Sequence, residues 1–464
     1  MLLFLQIERK VHICMKKSLA ICLSILALAV TSCFDDEDVV LSPYAVIKSF
    51  GIGKIQSAYP EFTSDGADTT VTKTIDGSSF PFTINQVTGD VFNADSLPYA
   101  TDVTKVVIDM ELSGYAQIYV DSTAQFEGFL ITDSIDFTTP RIFRITSTDS
   151  EYYRDYTVSV NVHKLEPEMM VWNKYQSVNG LVPLRVIEFN ERLCLFGERN
   201  GEWVLATASL SGVPSWEKVT VEGLPATANL STIQIFDGVL YLAAADGVYA
   251  STDAKTWSSC YSCEAVAIVG ASDADGKMWI ATDSELLFTT DGVNYENAGT
   301  IPAGFPLYGV SITSYVLNHN STIIRYMLVG YDNEAMDGDV AVWSRLSTEG
   351  SWAKYENKNN PFACPALRGL SVLRYDNFLY ALGGTGVAQG ENVEAFSSFY
   401  ISRDNGITWK APEGFYQRMP ADLQGSDVPF VTTVDSKNVM WIVCAGQEPV
   451  VWKGIINRLG FKNR

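Results

Sequence analysis

The sequence predicts an all-β protein, with a β-sandwich over residues 42–164 followed by a β-propeller of about six blades over residues 165–464. Two observations lead to this prediction. The first region consists of short alternating segments separated by turn residues, which is typical of a sandwich. In the second region a strand–turn–strand unit recurs, and the aromatic residues that follow these units are roughly 40 to 60 residues apart, a period that suits four-stranded blades.

The amino terminus has the pattern of a secretory signal over residues 1–32. The basic pair Lys16-Lys17 precedes the apolar run Ala20–Val30, which is too short to span a bilayer, and Met15 is a better start than the first residue. Val30-Thr31-Ser32-Cys33 resembles a bacterial lipobox. This resemblance implies that Cys33 is lipidated and opens the mature chain. An uncleaved anchor or a buried helix is the alternative.

An acidic segment, Phe34–Asp38, follows the cysteine within a tether over residues 33–41. It resembles the export signal of Bacteroidetes-type lipoproteins. The resemblance implies a protein that is lipid-anchored in the outer membrane and exposed at the cell surface. A solvated acidic tether is the other interpretation, and both can hold together.

The charge balance excludes one class of partner. The chain carries 54 acidic and 33 basic side chains, with a net charge of −21. Such a chain repels phosphate backbones, so we expect no nucleic-acid partner. Attachment to a membrane must then come from the lipid anchor and not from electrostatics.

The cysteines and histidines predict no metal and no cofactor. Cys260 and Cys263 have CxxC spacing, but no second pair or neighbouring histidine completes a zinc site. A local disulfide, two free thiols, or metal or redox chemistry remain open for this pair. The chain has 3 histidines: His12 precedes the mature chain, His163 lies at the domain junction and His319 lies in a loop. These positions argue strongly against a histidine-dependent triad or a multi-histidine metal site.

Residues 42–164 contain four clear strand patterns, with turn residues between them. The last of these, Tyr156–Val162, resembles the final strand of the Ig-like and cadherin-like domains of surface lipoproteins. The resemblance implies an Ig-like β-sandwich that serves as a spacer or platform. The predicted strands are Val103–Met110, Gly114–Val120, Arg141–Ser147 and Tyr156–Val162.

After the short linker Leu165–Glu168, a hairpin of two buried strands around an Asx or Gly turn recurs. We expect each copy to be the inner hairpin of a blade. Met170–Lys174 can complete the last blade across the join, which removes two exposed sheet edges. Seven blades remain possible because residues 303–326 fit no clear register. The predicted inner hairpins are Phe189–Gly197, Phe236–Ala244, Ala274–Ala281, Tyr375–Gly383 and Ser436–Val443.

Most inner hairpins are followed by an outer hairpin that ends in an aromatic residue. The clearest copy is Ile401–Lys410, with a strand ending at Ser402, a tight turn, and a second strand at Thr408-Trp409. Its spacing resembles the Asp-box of BNR-repeat propellers, which implies a structural turn whose tryptophan packs between blades. The box residues are Ser402, Asp404, Gly406, Thr408 and Trp409, and the other outer hairpins are Gly212–Trp216, Ser251–Trp257, Thr289–Tyr295 and Ser347–Trp352.

The candidate ligand-binding residues are few. BNR propellers include sialidases, which hold a carboxylate with three arginines, and Pro183–Val186 resembles their first arginine motif. Arg185 and Arg368 both begin inner-strand segments, but no third arginine or nucleophile can be matched. Asp246 and Asp283 follow second inner strands and can bind a ligand or a cation, although ordinary turn residues have the same pattern.

These observations favour a surface lipoprotein that binds a glycan or a protein without catalysis, within a nutrient-uptake assembly. A glycoside hydrolase of the sialidase type and a pure structural scaffold are the alternatives. Convergent carboxylates and arginines at the channel mouth would favour the enzyme, and a shallow aromatic platform would favour the binder.

Overall fold

The computed structural model describes residues 41–62, 68–317, 319–356, 358–412 and 416–460. Strands dominate these residues. Helix is limited there to the 3-10 turns Gly77–Ser79 and Ala421–Leu423 and to a short α-helix, Asn457–Gly460. The chain separates into two compact units. The N-terminal unit contains the chain up to Ser57 together with Lys73–His163, and the C-terminal unit contains Ala58–Thr72 together with the chain from Lys164 onward. The described residues contain no helix that is both long and apolar enough to cross a membrane.

The N-terminal unit is built mainly from two sheets. One has the order β1-β6-β9 and the other the order β4-β5-β11-β10-β7-β8. Strands β2 and β3 form a separate two-stranded sheet, and their residues from 58 to 72 are assigned to the C-terminal unit. Within these two larger sheets the strand pairs are antiparallel, except that β11 runs parallel to β5. The strands are β1 Val46–Ile52, β2 Lys54–Phe62, β3 Asp68–Asp76, β4 Phe82–Asn85, β5 Asp90–Asn93, β6 Val106–Ser113, β7 Tyr115–Val120, β8 Gln125–Gly128, β9 Ser134–Ile135, β10 Arg141–Thr146 and β11 Tyr153–Ser159.

Alternating side chains from both sheets share one core. Phe143 and Ile145 of β10 and Tyr156 of β11 are fully buried, together with Ile47 of β1. The predicted strands are present, although β11 begins earlier than expected and ends at Ser159. The difference arises because Tyr153 pairs with Thr146 of β10, which extends the ladder toward the preceding turn.

The C-terminal unit consists of successive short antiparallel strands from β12 onward. They are β12 Met170–Gln176, β13 Val182–Phe189, β14 Arg192–Arg199, β15 Glu202–Ser209, β16 Glu217–Thr220, β17 Ala228–Phe236, β18 Val239–Ala244, β19 Gly247–Ser251, β20 Ser258–Tyr261, β21 Ala265–Ser272, β22 Lys277–Thr282, β23 Glu285–Thr289, β24 Tyr295–Thr300, β25 Tyr308–Leu317, β26 Asn320–Tyr331, β27 Ala341–Leu346, β28 Ala353–Lys354, β29 Ala366–Leu367, β30 Ser371–Tyr375, β31 Phe378–Leu382, β32 Gly386–Ala388, β33 Glu391–Val393, β34 Tyr400–Ser402, β35 Phe430–Val434, β36 Met440–Cys444 and β37 Val450–Ile456.

Within the described residues these strands form a ring of sheets. Four sheets are sequential (β13 to β16, β17 to β20, β21 to β24 and β25 to β28), one has the order β30-β31-β34, and one has the order β12-β37-β36-β35. Strands β29, β32 and β33 form a small additional sheet. The first strands β13, β17, β21, β25, β30 and β35 contact one another in turn, and β35 contacts β13. The predicted closure is confirmed, because Met170 through Gln176 pair with β37.

Apolar packing between neighbouring sheets holds the ring together. One buried cluster lies between each adjacent pair of sheets, including the pair that closes the ring. Burying a leucine or valine side chain fully stabilises the fold by roughly 1.5–3 kcal/mol. The ring therefore fixes the positions of its first strands, and with them the lining of the central channel.

The five predicted inner hairpins are confirmed, and each joins the first two strands of a sheet. Their turns have the left-handed backbone that Asx and Gly tolerate, with φ of 48° at Asp237 and 70° at Gly238. A sixth hairpin, β25–β26, lies in the region where the sequence repeat could not be aligned. Its strands of 10 and 12 residues are long for such units, which explains why the repeat was hard to recognise there.

Candidate functional site

A central cavity of about 860 Å³ lies where the first strands of the sheets converge. Every sheet of the ring contributes to its wall, through residues in or next to β13, β17, β21, β25, β30 and β35. Most of the wall is apolar, and a few polar side chains project into it. The lining residues discussed below, apolar and polar together, are Leu184, Asn229, Ser231, Tyr308, Glu334, Met336, Arg368, Asp427 and Phe430.

Arg368 and Asp427 form the charged pair of this cavity. Each stands three residues before a first strand, β30 for the arginine and β35 for the aspartate. Their guanidinium and carboxylate groups are joined in an ion pair, with side chains 59% and 34% exposed. Gly384 leaves room for the pair, since a Cβ there would lie 2.8 Å from Asp427 Oδ1. The pair thus presents a fixed polar group beside an apolar wall.

A smaller cavity of about 280 Å³, here called the inner cavity, adjoins the central one and shares Leu184, Ser231 and Arg368 with it. Arg185 of β13 lines the inner cavity. A bulge between Pro183 and Arg185 shifts the register of β13 against β14 at this point. The side chain is half-buried, and burial lowers the pKa of Arg185 to about 10, so it stays protonated at neutral pH.

Hydroxyl groups tie the first strands together around the inner cavity. Ser371 Oγ and Thr432 Oγ1 are 2.6 Å apart and link β30 to β35. Val372 N donates to Ser311 Oγ over 2.8 Å and links β30 to β25. These bonds between sheets hold the wall of the inner cavity in place, which favours a preformed site.

The structure brings two of the four predicted ligand-binding residues together and separates the other two from them. Arg185 and Arg368 both line the inner cavity. Asp246 and Asp283 are exposed turn residues, and neither lines the central or the inner cavity. Asp246 accepts a hydrogen bond of 2.9 Å from Tyr249 Oη, and Asp283 accepts one of 3.1 Å from Ser284 Oγ. Each aspartate thus bonds to a residue near it in the sequence.

Several lining residues were missed from the sequence. Asp427 occupies the same offset before β35 that Arg368 occupies before β30, so aligning the repeats more strictly could have found it. Glu334 and Met336 come from the segment between β26 and β27, an insertion in the repeat. Nothing in their local pattern indicates that this segment reaches the channel.

The predicted box at Ser402–Trp409 is a densely bonded turn. Asp404 Oδ1 accepts from Ser402 Oγ at 2.8 Å and from Thr408 N at 2.9 Å. Gly406 N donates to Ser402 Oγ over 2.7 Å, and Trp409 Nε1 donates to Gly406 O over 3.1 Å. Trp409 is fully buried in the cluster between the β25–β28 sheet and the β30-β31-β34 sheet.

Two other turns repeat this bonding. Asp253 accepts from the backbone of Lys255 and Thr256, each at 2.8 Å, and Asp291 accepts from Val293 and Asn294 at 2.9 and 2.7 Å. Backbone hydrogen bonds, that of Thr256 foremost, hold the pKa of Asp253 below its ordinary value. The shared geometry indicates a structural role for these aspartates.

One detail of the box prediction is wrong. No strand begins at Thr408-Trp409, and the outer edge is closed only by a bridge between Ile401 and Lys410. The reason is that Trp409 N donates to Phe362 O over 2.8 Å, so the backbone leaves the ladder at the tryptophan.

The remaining predicted sites are the Cys260–Cys263 pair and the lipidation residue Cys33. Cys260 and Cys263 are free, partly exposed thiols, and burial raises the pKa of both. Among the described residues no cluster of three or more potential metal ligands is found. Cys33 lies outside the described residues.

Comparisons with known proteins identify two matching domains. Residues 166–464 match the model described as the DUF6242 beta propeller domain, and residues 50–160 match that of the DUF6242 N-terminal domain, a domain of unknown function. No curated protein matches the chain.

Three solved structures resemble the chain at a general level. A DUF4623 family protein from Bacteroides eggerthii has 10% identity and a TM-score of 0.34, over 88% of this chain and 98% of that one. A Trichoderma reesei protein of carbohydrate-active enzyme family AA12 has 10% identity and a TM-score of 0.38, over 64% and 100%. The α-L-arabinofuranosidase arb93a from Fusarium graminearum has 13% identity and a TM-score of 0.36, over 61% and 98%. These values are too low to transfer an activity.

Proposed function

The chain belongs to the DUF6242 family, and from the cavity in its propeller domain we propose that it is a cell-surface lipoprotein that binds a glycan without cleaving it. The central cavity is the observation that carries this proposal. Its volume of about 860 Å³ falls within the range of small-ligand sites, and an apolar wall with a few fixed polar groups is typical of them.

The lining suits a sugar. Tyr308 and Phe430 are partly exposed in the cavity and offer aromatic faces on which the apolar side of a pyranose can stack. Asn229, Ser231 and the Arg368–Asp427 pair supply donors and acceptors for hydroxyl groups. A glycan therefore fits this wall better than a protein surface, which would require a flatter contact area.

The finer architecture belongs to the same proposal. We assign the six sheets of the ring as six blades, the Ser402–Trp409 turn as a structural Asp-box, and the two sheets of the N-terminal unit as an Ig-like spacer. Lipidation at Cys33 places the chain in the outer membrane, where a glycan-binding propeller can serve a nutrient-uptake assembly.

A glycan-array screen with a matched pair of variants tests the binding role. Ser231 is exposed in the cavity, so Ser231→Trp fills it without disturbing the packed sheets. Val213 is 70% exposed in the turn between β15 and β16, and Val213→Trp adds the same bulk elsewhere. We expect the wild type and Val213→Trp to retain glycans that Ser231→Trp loses. Equal binding by all three proteins, or by none, would contradict the proposal and favour a structural scaffold.

A second candidate, a glycan-cleaving enzyme, is favoured by one observation: Glu334 and Asp427 line the cavity together with Arg368. Hydrolysis with two carboxylates needs one acid and one base or nucleophile. The Asp427 carboxylate is already paired with Arg368, and Glu334 is exposed, whereas catalytic acids are usually partly desolvated. We therefore expect no release of free sugar from array-positive glycans or from sialylated substrates. Turnover that disappears in both Glu334→Gln and Asp427→Asn would establish the enzyme.

A further inference from the structure

The guanidinium group of Arg185 has no hydrogen-bond or ion-pair partner within the described part of the chain. Its Nε is buried without a hydrogen bond, and among the described residues no ion pair or hydrogen bond is found for the side chain. Three other arginines have a buried, unbonded Nε, but each bonds through another nitrogen. They are Arg141 with Asp121, Arg325 with Ser344 and Tyr355, and Arg345 with Gly350 O.

The wall around Arg185 has an unusual charge for this protein. The chain has 54 acidic residues against 33 basic ones, so carboxylates are plentiful as partners for a cation. The inner cavity is nevertheless lined by two arginines and, among the described residues, by no aspartate or glutamate. An arginine stays charged, and desolvation makes a charge without a protein partner costly even where the side chain is half-buried. An anion bound from solution would supply the missing partner.

The inner cavity also offers donors suited to an anion. Ser311, Ser371 and Thr432 line it with hydroxyl groups. Ser311 Oγ accepts from Val372 N, which leaves its own O–H to donate, and the single bond between Ser371 and Thr432 uses only one of their two protons. The volume of about 280 Å³ is enough for one charged substituent and its neighbouring ring atoms, but not for a large ligand. Arginine binds planar and tetrahedral oxyanions through two parallel N–H donors, which gives strength and orientation together.

We propose that the inner cavity is an anion subsite in which Arg185 binds a carboxylate or sulfate group of the ligand. This inference rests on the proposed glycan-binding role and narrows its ligand to acidic saccharides, such as uronate-containing or sulfated chains. Arg368, already neutralised by Asp427, contacts the adjoining part of the ligand in the central cavity.

Sulfate binding to the purified full chain tests the subsite directly. The melting temperature of each protein is measured in sodium sulfate and in sodium chloride at equal ionic strength. Because sulfate stabilises most proteins nonspecifically, the quantity that matters is how much larger the sulfate-dependent rise is in the wild type than in Arg185→Gln. We expect a larger sulfate-dependent rise in the wild type, corresponding to an affinity about 10- to 100-fold higher. Equal rises in both proteins would overturn the inference.

The stability of the unliganded variant gives an independent readout. Because none of the described residues pairs with the Arg185 guanidinium, Arg185→Gln should melt at the same temperature as the wild type or higher in chloride alone. A large drop in melting temperature, or failure to fold, would show that the arginine stabilises the fold and would overturn the inference. Arg185→Lys keeps the charge without the fork, and we expect it to bind sulfate more weakly than the wild type.

The array separates this inference from the proposed function. We expect the wild type to retain uronate-containing or sulfated glycans, Arg185→Gln to lose them selectively, and Ser231→Trp to lose all glycans. Binding of neutral glycans alone would overturn the anion subsite and leave glycan binding intact. Arg185-dependent sulfate binding without any glycan hit would support the subsite and overturn the proposed glycan role.

Discussion

Truncating Trp409 tests the role of the box in ring stability. The side chain is fully buried between two sheets, and its Nε1 donates to Gly406 O within the turn. Trp409 does not line the central or the inner cavity. Trp409→Ala should therefore lower the stability of the propeller and leave the ligand affinity of the folded protein unchanged.

The size of the effect follows from the buried area. A tryptophan buries roughly 200 Å², which corresponds to about 5 kcal/mol at ~25 cal/mol per Å². Burial in the unfolded chain reduces this figure, and losses of about 3–5 kcal/mol are typical of such truncations. We expect about 4 kcal/mol. For a domain of about 300 residues the unfolding entropy is roughly 0.6 kcal/mol per degree, so the melting temperature should fall by about 6 °C.

Calorimetry of the wild type, Trp409→Ala and a control in the same turn measures this difference. Ile407 is 55% exposed, and we expect Ile407→Ala to change stability by less than about 0.5 kcal/mol. Binding of an array-positive glycan is then measured well below the transition. A loss of binding in Trp409→Ala without a fall in melting temperature would refute the structural role and place Trp409 in a ligand site.

Three further predictions concern the closure, the turns and the anchor. Arg458 of the C-terminal helix bonds Glu168 and Asp376, so Arg458→Ala should lower the free energy of unfolding in denaturant by roughly 3 kcal/mol. The control Arg192→Ala breaks an exposed ion pair and should lower it by under about 1 kcal/mol. Equal losses in the two variants would contradict a role of Arg458 in ring closure. Backbone hydrogen bonds, that of Asn294 foremost, hold the pKa of Asp291 below its ordinary 3.8, so its stabilisation is present above that pH and is lost as the pH falls through the folded-state pKa. The difference in melting temperature between wild type and Asp291→Asn should therefore narrow on acidification, and a difference independent of pH would argue against this linkage. Cys33→Ala should release the protein from the membrane fraction, and continued sedimentation with outer membrane after a carbonate wash would exclude lipid anchoring.

Much of the fold could be predicted because its repeats are locally encoded. A strand pair around an Asx or Gly turn needs only neighbouring residues, so Phe236–Ala244 and Tyr375–Gly383 were recognisable directly. The β25–β26 hairpin could not be registered, since its long strands obscure the period. The missing strand after Trp409 depends on a hydrogen bond to Phe362, a contact distant in sequence.

Only part of the candidate site could be predicted from the sequence. Arg185 and Arg368 could be found because they begin inner-strand segments, and position in the repeat determines which side chains face the channel. The pairing of Arg368 with Asp427, and the lack of any described partner for Arg185, depend on how separate sheets meet around the ring. Such contacts between distant segments leave no local pattern.

A crystal structure of the chain with its strongest array ligand tests the central claim most directly. We predict that the saccharide occupies the central cavity, stacks on Tyr308 or Phe430, and places its acidic group against the Arg185 guanidinium. A ligand bound outside the ring of first strands, with the central cavity filled only by solvent, would contradict the account.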